Sequence, residues 1–391
     1  MRRAKSYSSP MNSKADLNAD LSRREWLLAL AAGGLGVRQL AVAAQPPAKL
    51  ERNKLAMPGL YPGRVVAVSH PACITGGKFQ AEPIRRMMEG GMLELTDAED
   101  VPSAWRQFFE RGDVVGIKVN PVGAPHVIGC AEVLREIIKG LESAGVGRKD
   151  IVVYDRYRAQ FLKAGFREWL PDGVRWMSAA EDYDDVQQAI EGYDPDHYLD
   201  MALTLPGHDV NNLAARRSYA AKFITKEVNK LINLPLLKDH QSAGVTLALK
   251  NLSHGLVNNV SRSHGSKSLN ACGAFIPAVV AMPVIRNKTV LHVLDGIKAL
   301  YHGGPSARPQ FVWEHRTLYF ATDPVALDHV CWKAVDEKRV AAGLKPVAVD
   351  PPDQFSVFVR RQPEHVEIAG ALGLGVWEEG KIDVRRVALK A

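Results

Sequence analysis

The sequence predicts an α/β protein: one large domain with a mostly parallel sheet and helices on both faces. Two observations support this fold class. Short apolar runs rich in Val and Ile are separated by stretches with helical periodicity. These runs lack the polar alternation of a half-exposed strand, which indicates that both faces of the sheet are covered. The 391 residues are 46% apolar and 24% charged, which is a globular composition.

The first half of the domain shows the alternation clearly. The β-branched run 64–69 predicts a strand that ends at Ser69-His70-Pro71. A helix is predicted over 81–95, because its apolar side chains recur on one stripe. The run 113–120 reads as a buried strand that is closed by Pro121. A second helix is predicted over 132–141 by the same apolar spacing.

The remaining elements follow the same pattern. Strands are predicted at 151–154, 230–234, 289–294 and 318–321, and a helix is predicted from Asp323 onward. The stretch 170–215 is rich in Asp, Tyr and turn residues, so we expect an insertion or an edge segment there.

The N-terminus has the features of an export signal. Ser22-Arg23-Arg24-Glu25-Trp26-Leu27-Leu28 precedes a weakly apolar run that ends in Ala41-Val42-Ala43, a small-residue cleavage site. An arginine pair at this place resembles the twin-arginine signal of bacteria. We therefore expect a signal peptide over 1–43, a linker over 44–60 and the α/β domain over 61–391. The run is too weakly apolar for a stable membrane span unless the leader is retained as an anchor, and an N-terminal helix of the fold is the other alternative.

This signal implies a periplasmic or other extracytoplasmic protein, with the twin-arginine translocase as a partner. It also explains part of the basic charge. The formal net charge is +7, and the first 43 residues contribute +4 of it. The remainder is too weakly basic to predict a nucleic-acid partner, so a small-molecule ligand is expected instead.

Candidate binding residues follow the predicted strands. Ligands of a parallel sheet lie beyond the carboxyl ends of its strands. The polar residues at these ends, which we predict to bind substrate, are Lys118, Asn120, Asp155, Asn233, Asp295 and Asp323.

The densest chemistry lies between Asn233 and His264. If 245–256 is a helix, Lys250 and His254 share one face, and Thr246 lies one turn earlier. A lysine among Val, Leu and Ala would be desolvated, so it would act as a base or pair with an anion. Lys238 and His240 alternate along an extended segment and can face the same pocket.

We therefore predict four catalytic residues and two further substrate-binding residues in this region. The catalytic residues are Lys238, His240, Lys250 and His254, and the substrate-binding residues are Thr246 and Asn251. The alternative is a buried, capped helix whose lysines extend toward solvent.

Several stretches resemble one known family, the domain-of-unknown-function family numbered 362. They are Asn233-Leu-Pro-Leu-Leu-Lys238-Asp-His240, Gly244-Val-Thr-Leu-Ala-Leu-Lys250-Asn251, Asp323-Pro-Val-Ala-Leu-Asp328 and His365…Ala369…Leu372-Gly373-Leu374-Gly375. The resemblance runs from about residue 65 to 375. Some members carry an added ferredoxin-like domain and are labelled iron–sulfur proteins, but this chain lacks the cysteines of that extension.

A metal site is predicted at His240, His254 and Asp295, since imidazole and carboxylate ligands are common in such sites. The four cysteines form no C-x-x-C pair, so a ferredoxin-type cluster is excluded. The chain also lacks the G-x-S-x-G, P-loop and G-x-G-x-x-G motifs of common hydrolases, NTPases and dinucleotide enzymes.

Three functions remain open on the sequence alone. The first is an exported metal- or cofactor-dependent enzyme, such as an oxidoreductase or isomerase, that acts on a small anionic or hydroxylated substrate. The second is an exported binding or electron-transfer accessory protein. The third is a metal-free hydrolase or isomerase that works by acid–base chemistry of Lys, His and Asp.

The export signal yields a direct prediction. Replacing Arg23-Arg24 by Lys-Lys should retain the protein in the cytoplasm, because the twin-arginine pair is the recognition element of that pathway. Fractionation of the native host, with detection of the protein in periplasm and cytoplasm, measures this. Unchanged export of the Lys-Lys variant would contradict the assignment.

Overall fold

A computed structural model describes residues 54–265, 269–349, 358 and 361–391 of the chain. These residues fall within one compact unit, Pro46–Ala391. The expected signal peptide over 1–43 and the first part of the expected linker lie outside the described residues. Met57, near the end of that expected linker, is buried, and its amide donates to the Arg286 carbonyl at 3.1 Å.

The strands share a central sheet, apart from two small antiparallel pairs. In chain order they are β1 (Arg64–Ser69), β2 (Ile74–Thr75), β3 (Lys78–Phe79), β4 (Val115–Lys118), β5 (Ile151–Tyr154), β6 (Arg175–Met177), β7 (Tyr193–Asp200), β8 (Arg217–Ala221), β9 (Lys230–Asn233), β10 (Leu236–His240), β11 (Gly244–Val245), β12 (Thr289–Leu300), β13 (Val312–Ala321) and β14 (Asp383–Ala388).

The order of the central sheet is β14-β1-β13-β12-β9-β4-β5-β6. Strand β10 pairs with both β12 and β11. Strands β12, β9, β4, β5 and β6 run parallel. The hairpin β12–β13 and the pair β13–β1 are antiparallel. The predicted mostly parallel α/β domain is therefore confirmed.

Helices cover the sheet. They are α1 (Ala81–Thr96), α2 (Val101–Arg106), α3 (Ala131–Ser143), α4 (Arg158–Lys163), α5 (Phe166–Trp169), α6 (Leu213–Arg216), α7 (Leu247–Leu256), α8 (Cys272–Val280), α9 (Pro283–Arg286), α10 (Pro324–Ala341) and α11 (Glu364–Ala371). Within the described ranges, no helix has both the length and the apolar character needed to cross a bilayer.

Strand β5 shows why both faces are covered. Ile151 and Val153 join the apolar cluster that contains α1 and α3, whereas Val152 and Tyr154 join the cluster that contains α7 and α8. Alternate side chains of a strand point to opposite faces, so each face has its own core. This arrangement explains why the strand has no polar position.

The bounds of two strands and one helix differ from the predictions. Strand β12 extends further than predicted, to Leu300, and strand β13 starts earlier than predicted, at Val312. The two strands form a long hairpin whose outer half is only partly apolar. The helix predicted over 245–256 begins at Leu247, since Val245 pairs with Asp239 in the short β10–β11 ladder. The segment 170–215 contributes the edge strand β6 and strand β7, which pairs with β8 outside the main sheet.

A buried carboxylate caps the N-terminus of α7. Asp328 on α10 accepts the amides of Ala248 and Leu249 at 2.7 and 2.9 Å, and its side chain is fully buried. These amides belong to the first turn, whose donors have no partner within the helix. Asp328 therefore fixes where α7 begins and couples it to α10.

We expect Asp328→Ala to lower the free energy of unfolding by about 3 kcal/mol, because two buried amides lose their acceptor. Chemical denaturation measures this loss. Asp100→Ala is the matched control: Asp100 is an exposed cap that accepts one amide, from Ser103, and its loss should cost clearly less than the loss of Asp328. Equal losses in the two variants would contradict the structural role of Asp328.

Candidate functional site

Four polar residues form one row across the carboxyl ends of the parallel strands. Lys118, the last residue of β4, lies in register with Tyr154 on one side and Asn233 on the other. Asn233 in turn lies in register with His292 of β12. The Nδ2 of Asn233 and the Nδ1 of His292 are 3.1 Å apart, so these two side chains contact each other.

Helix α7 lies over this row and is joined to it by Asn251. The Oδ1 of Asn251 accepts from Lys118 Nζ at 3.3 Å and from Asn120 Nδ2 at 3.0 Å. Its Nδ2 donates to Asn233 Oδ1 at 2.7 Å. One amide thus links the helix to two strands and to the segment that follows β4.

A glycine allows the close approach of the helix. A Cβ on Gly255 would lie 2.0 Å from Cε of Lys118, so a side chain here would have to displace the buried lysine. The carbonyl of Gly255 also accepts the hydroxyl of Tyr154 at 3.2 Å. The last turn of α7 therefore rests directly on the lysine and the tyrosine of the row.

Four buried cations lie on or near α7 and interact electrostatically. We call them the cationic cluster: Lys118, Arg156, Lys238 and Lys250. Each is at most 5% exposed. Lys118 forms an ion pair with Asp155 at 2.7 Å.

The other three cations have no carboxylate partner among the described residues. Lys238 donates to Asn120 Oδ1 at 3.1 Å and to the carbonyl of Val122. Arg156 donates to the hydroxyl of Tyr193 and to Gln187, each at 3.0 Å. Lys250 makes no hydrogen bond through Nζ to any described residue.

Burial dominates the electrostatics of these lysines. It lowers the pKa of Lys238 to about 7, and the charges of Lys250 and Lys118 add to the effect. Burial also lowers the pKa of Lys250 to about 8, with Arg156 adding to it and Cys272 opposing it. Both lysines can therefore exchange protons close to neutral pH.

A second group lies at the C-terminal end of α7, and we call it the His–Cys group: His254, His264 and Cys272. Their ligand atoms all lie within 4.8 Å of one another. His254 lies in the last turn of α7, His264 follows a short 3-10 helix (Ser261–Ser263), and Cys272 begins α8. Three separate segments thus converge here.

Serine hydroxyls contact the His–Cys group. Ser263 Oγ lies 3.1 Å from Nε2 of His254 and 3.0 Å from Nδ1 of His264. Ser242 Oγ lies 3.7 Å from Cys272 Sγ and 3.0 Å from Nδ1 of His240.

The histidines of this region are held neutral. Burial lowers the pKa of His240 and His254 well below 6.5, and the charge of Lys250 adds to both effects. It lowers the pKa of His264 and of His365 to about 3. Both ring nitrogens of His365 are buried without a hydrogen-bond partner in the described part of the chain.

His240 has a defined tautomer. The backbone amide of Ser242 donates to its Nδ1 at 3.1 Å, so the ring proton lies on Nε2. His240 can therefore donate a hydrogen bond through Nε2. The ring centroid of His240 is 6.0 Å from that of His264, which places His240 beside the His–Cys group.

Most of the predicted site residues come together. Lys118, Asn120, Asp155, Asn233, Asn251 and Lys238 form one network of direct hydrogen bonds. Lys250 and His240 interact electrostatically with Lys238 of that network. His254 interacts in turn with Lys250 and His240. Thr246 is buried at the start of α7, and its hydroxyl has no partner among the described residues.

Asp323 has a different role from the predicted one. Its two oxygens accept four backbone amides, those of Gly63, Val325, Ala326 and Val376, at 2.8 to 2.9 Å. These bonds cap α10 and join it to two loops. The carboxylate therefore serves the fold rather than a ligand.

The predicted metal set also differs from the observed grouping. Asp295 accepts the amides of Ile297 at 2.9 Å and of Cys130 at 3.2 Å, and among the described residues it joins no group of close metal-ligating atoms. Of the three predicted ligands, His254 alone belongs to the His–Cys group. The side chains that shift the pKa of Lys250 are Cys272 and Arg156, and Asp295 does not contribute to it.

Sequence reasoning missed five residues of the site: Arg156, Ser263, His264, Cys272 and His365. Arg156 carried a signal, because it directly follows Asp155 at a strand end. His264 and Ser263 lie in a polar loop that reads equally well as solvent-exposed. Cys272 and His365 are isolated in the sequence, so no spacing pattern indicates them.

A family comparison covers more than half of the chain. Residues 115–333 match the family model of a domain of unknown function, DUF362. The match contains the row, helix α7 and the His–Cys group, and it lies inside the range of the resemblance noted above. No curated protein matches the sequence. The chain belongs to the DUF362 family.

Proposed function

We propose that the protein is an enzyme that binds a small organic anion at the cationic cluster and acts on it by proton transfer. The observation that carries this proposal is the surplus of buried positive charge. Arg156, Lys238 and Lys250 are buried without a carboxylate partner in the described residues, and only Lys118 has one.

Such a surplus is costly in the free protein. Moving an unpaired ion out of water costs several kcal/mol, and the cost persists unless a counter-ion arrives. The pKa of Lys238 falls to about 7 for this reason. A bound carboxylate or phosphate would supply the missing negative charge, which makes a small anion the ligand class that fits.

Lys250 is the residue best suited to contact this ligand. Its Nζ is buried and makes no hydrogen bond to the described residues, whereas Lys118 and Lys238 are held by Asp155 and Asn120. With a pKa of about 8, Lys250 can accept a proton near neutral pH or stabilise a developing oxyanion.

His240 complements Lys250 as a hydrogen-bond donor that could polarise a substrate oxygen. Its Nε2–H is fixed by the amide of Ser242, and the ring is neutral. A neutral imidazole donor and a lysine base in one pocket are the parts of an isomerase or a hydrolase.

The cellular location is also a proposal. The Arg23-Arg24 motif and the small-residue site at Ala41-Val42-Ala43 support export by the twin-arginine translocase to the periplasm. A periplasmic enzyme of this kind would meet small organic acids that enter from outside the cell.

Lys250→Met should make the protein more stable at pH 7, by up to roughly 3 kcal/mol. A lysine with a pKa of about 8 in the folded state and about 10.4 in the unfolded state destabilises the fold below pH 8. The unfolded state binds more protons between these values, so wild-type stability rises with pH there and the advantage of the variant shrinks. Chemical denaturation from pH 6 to pH 10 measures both effects.

The matched control for this stability change is Lys288→Met. The ammonium of Lys288 donates to the carbonyls of Ile224 and Val228 at 2.7 and 2.8 Å, so its removal should destabilise the protein. A Lys250→Met protein that is less stable than wild type at pH 7 would identify Lys250 as a structural lysine.

The function itself is tested by ligand binding and turnover. The purified protein is screened by thermal shift against small carboxylates, hydroxy acids and phosphate esters, and hits are followed by NMR for conversion. Lys250→Met and Lys250→Arg should both lose at least about 90% of binding or turnover, since a planar guanidinium cannot replace a compact ammonium. Lys288→Met should retain ligand binding wherever it is folded.

Three outcomes would contradict this proposal. A folded Lys250→Arg protein with near-normal turnover would remove Lys250 from the site. Tight binding without conversion of any hit would indicate a binding protein instead of an enzyme. No stabilising anion in the screen would argue against the ligand class.

A further inference from the structure

We propose that the His–Cys group binds one divalent transition-metal ion, of the class of Zn²⁺, next to the cationic cluster. The ligand atoms of His254, His264 and Cys272 lie within 4.8 Å of one another without an ion. Bonds of about 2.0 to 2.3 Å in tetrahedral geometry place ligand atoms about 3.3 to 3.8 Å apart. Small side-chain rotations therefore bring the three atoms to one metal.

The donor set selects the class of metal. Two imidazoles and a thiolate suit Zn²⁺ and its substitute Co²⁺, whereas Mg²⁺ and Ca²⁺ require oxygen ligands. Cys272 is nearly fully buried, and among the described residues its sulfur makes only long contacts, of 3.7 Å to Ser242 Oγ and 3.9 Å to Ser263. The sulfur is therefore not committed to a strong hydrogen bond and is available to a metal.

Ser263 is placed to orient both imidazoles. Its hydroxyl contacts Nε2 of His254 and Nδ1 of His264. Metal-bound histidines commonly donate their second nitrogen to such a partner, which fixes the ring orientation. His254 also contacts Ser253 Oγ at 2.9 Å through Nδ1, so each of its ring nitrogens has a serine contact. Metal binding would replace one of these contacts and leave the other in place.

His240 is not assigned as a ligand, although it was predicted as one. The amide of Ser242 occupies its Nδ1, so Nε2 carries the ring proton and has no free lone pair. His240→Gln is therefore a control from the same pocket: it removes a neighbouring imidazole but leaves the three proposed ligands intact.

The location gives the ion a role. Three protein ligands leave a fourth position open, as in catalytic rather than structural zinc sites. His254 lies one helical turn after Lys250 on the same face of α7, so a metal ion held by the His–Cys group would lie near the anion site. The metal site is argued from its own geometry and does not require the proposed enzymatic activity.

The test is a cobalt titration of the metal-free, reduced protein, with no substrate present. We expect one Co²⁺ per chain, the visible absorption of a tetrahedral site, and a thiolate-to-cobalt charge-transfer band in the near ultraviolet. Zn²⁺ should displace Co²⁺ and abolish these bands. Cys272→Ala should lose the charge-transfer band and weaken metal affinity by roughly 100-fold or more.

Matched variants separate this result from general damage. Cys331→Ala removes an equally buried cysteine from another apolar cluster and should leave the spectrum unchanged. His240→Gln should also keep the spectrum, and Ser263→Ala should keep the bands with affinity reduced by about 10- to 100-fold. If Cys272→Ala does not fold, His264→Gln, on a partly exposed loop, tests the same site.

Three results would overturn the metal site. They are the absence of stoichiometric Co²⁺ binding to the wild type, binding without a thiolate band, and an unchanged spectrum in the folded Cys272 or His264 variant. Metal binding with no anion hit would leave this site standing while the proposed enzymatic function fails.

Discussion

The side-chain amide of Asn251 is the contact on which the rest of the site depends. It accepts from Lys118 and Asn120 and donates to Asn233, so one residue joins helix α7 to two strands and the segment after β4. Gly255 permits that approach, because any larger side chain would collide with Lys118. Once the helix is seated there, the lysines beneath it lose contact with water, and their pKa values fall.

This seating comes at a cost in stability. The buried amide network is fully hydrogen-bonded and holds the helix in one position, as such networks do when every member is satisfied. Three of the four cations, in contrast, are not neutralised by a carboxylate among the described residues. A protein built only for stability would replace Lys250 by an apolar side chain, since its ammonium makes no hydrogen bond to a described residue. Its presence is understandable if the missing partner is a ligand.

Helix α7 also brings two kinds of chemistry together. Asn251 faces the sheet, Lys250 belongs to the cationic cluster, and His254 belongs to the His–Cys group one turn later. Asp328 caps the helix at its first turn, so the start of the helix is fixed as well. The match to the DUF362 family spans the whole of this arrangement. The proposed anion site and the proposed metal site would suit a reaction in which charge develops on a substrate oxygen.

The α/β fold, six strands of the central sheet and the majority of the polar network were predictable from the sequence alone. Apolar runs such as 151–154 reveal strands buried on both faces, and the rule that ligands bind at carboxyl strand ends selected Lys118, Asn120, Asp155 and Asn233. Only the tertiary structure decided which of these polar residues serve the fold, as Asp323 does through four backbone amides. It alone brought Cys272 and His264 to His254, because a cluster from separate segments leaves no spacing signal in the chain. The physical reason is that periodicity records local burial, whereas a site is made by long-range contacts between side chains that no local pattern encodes.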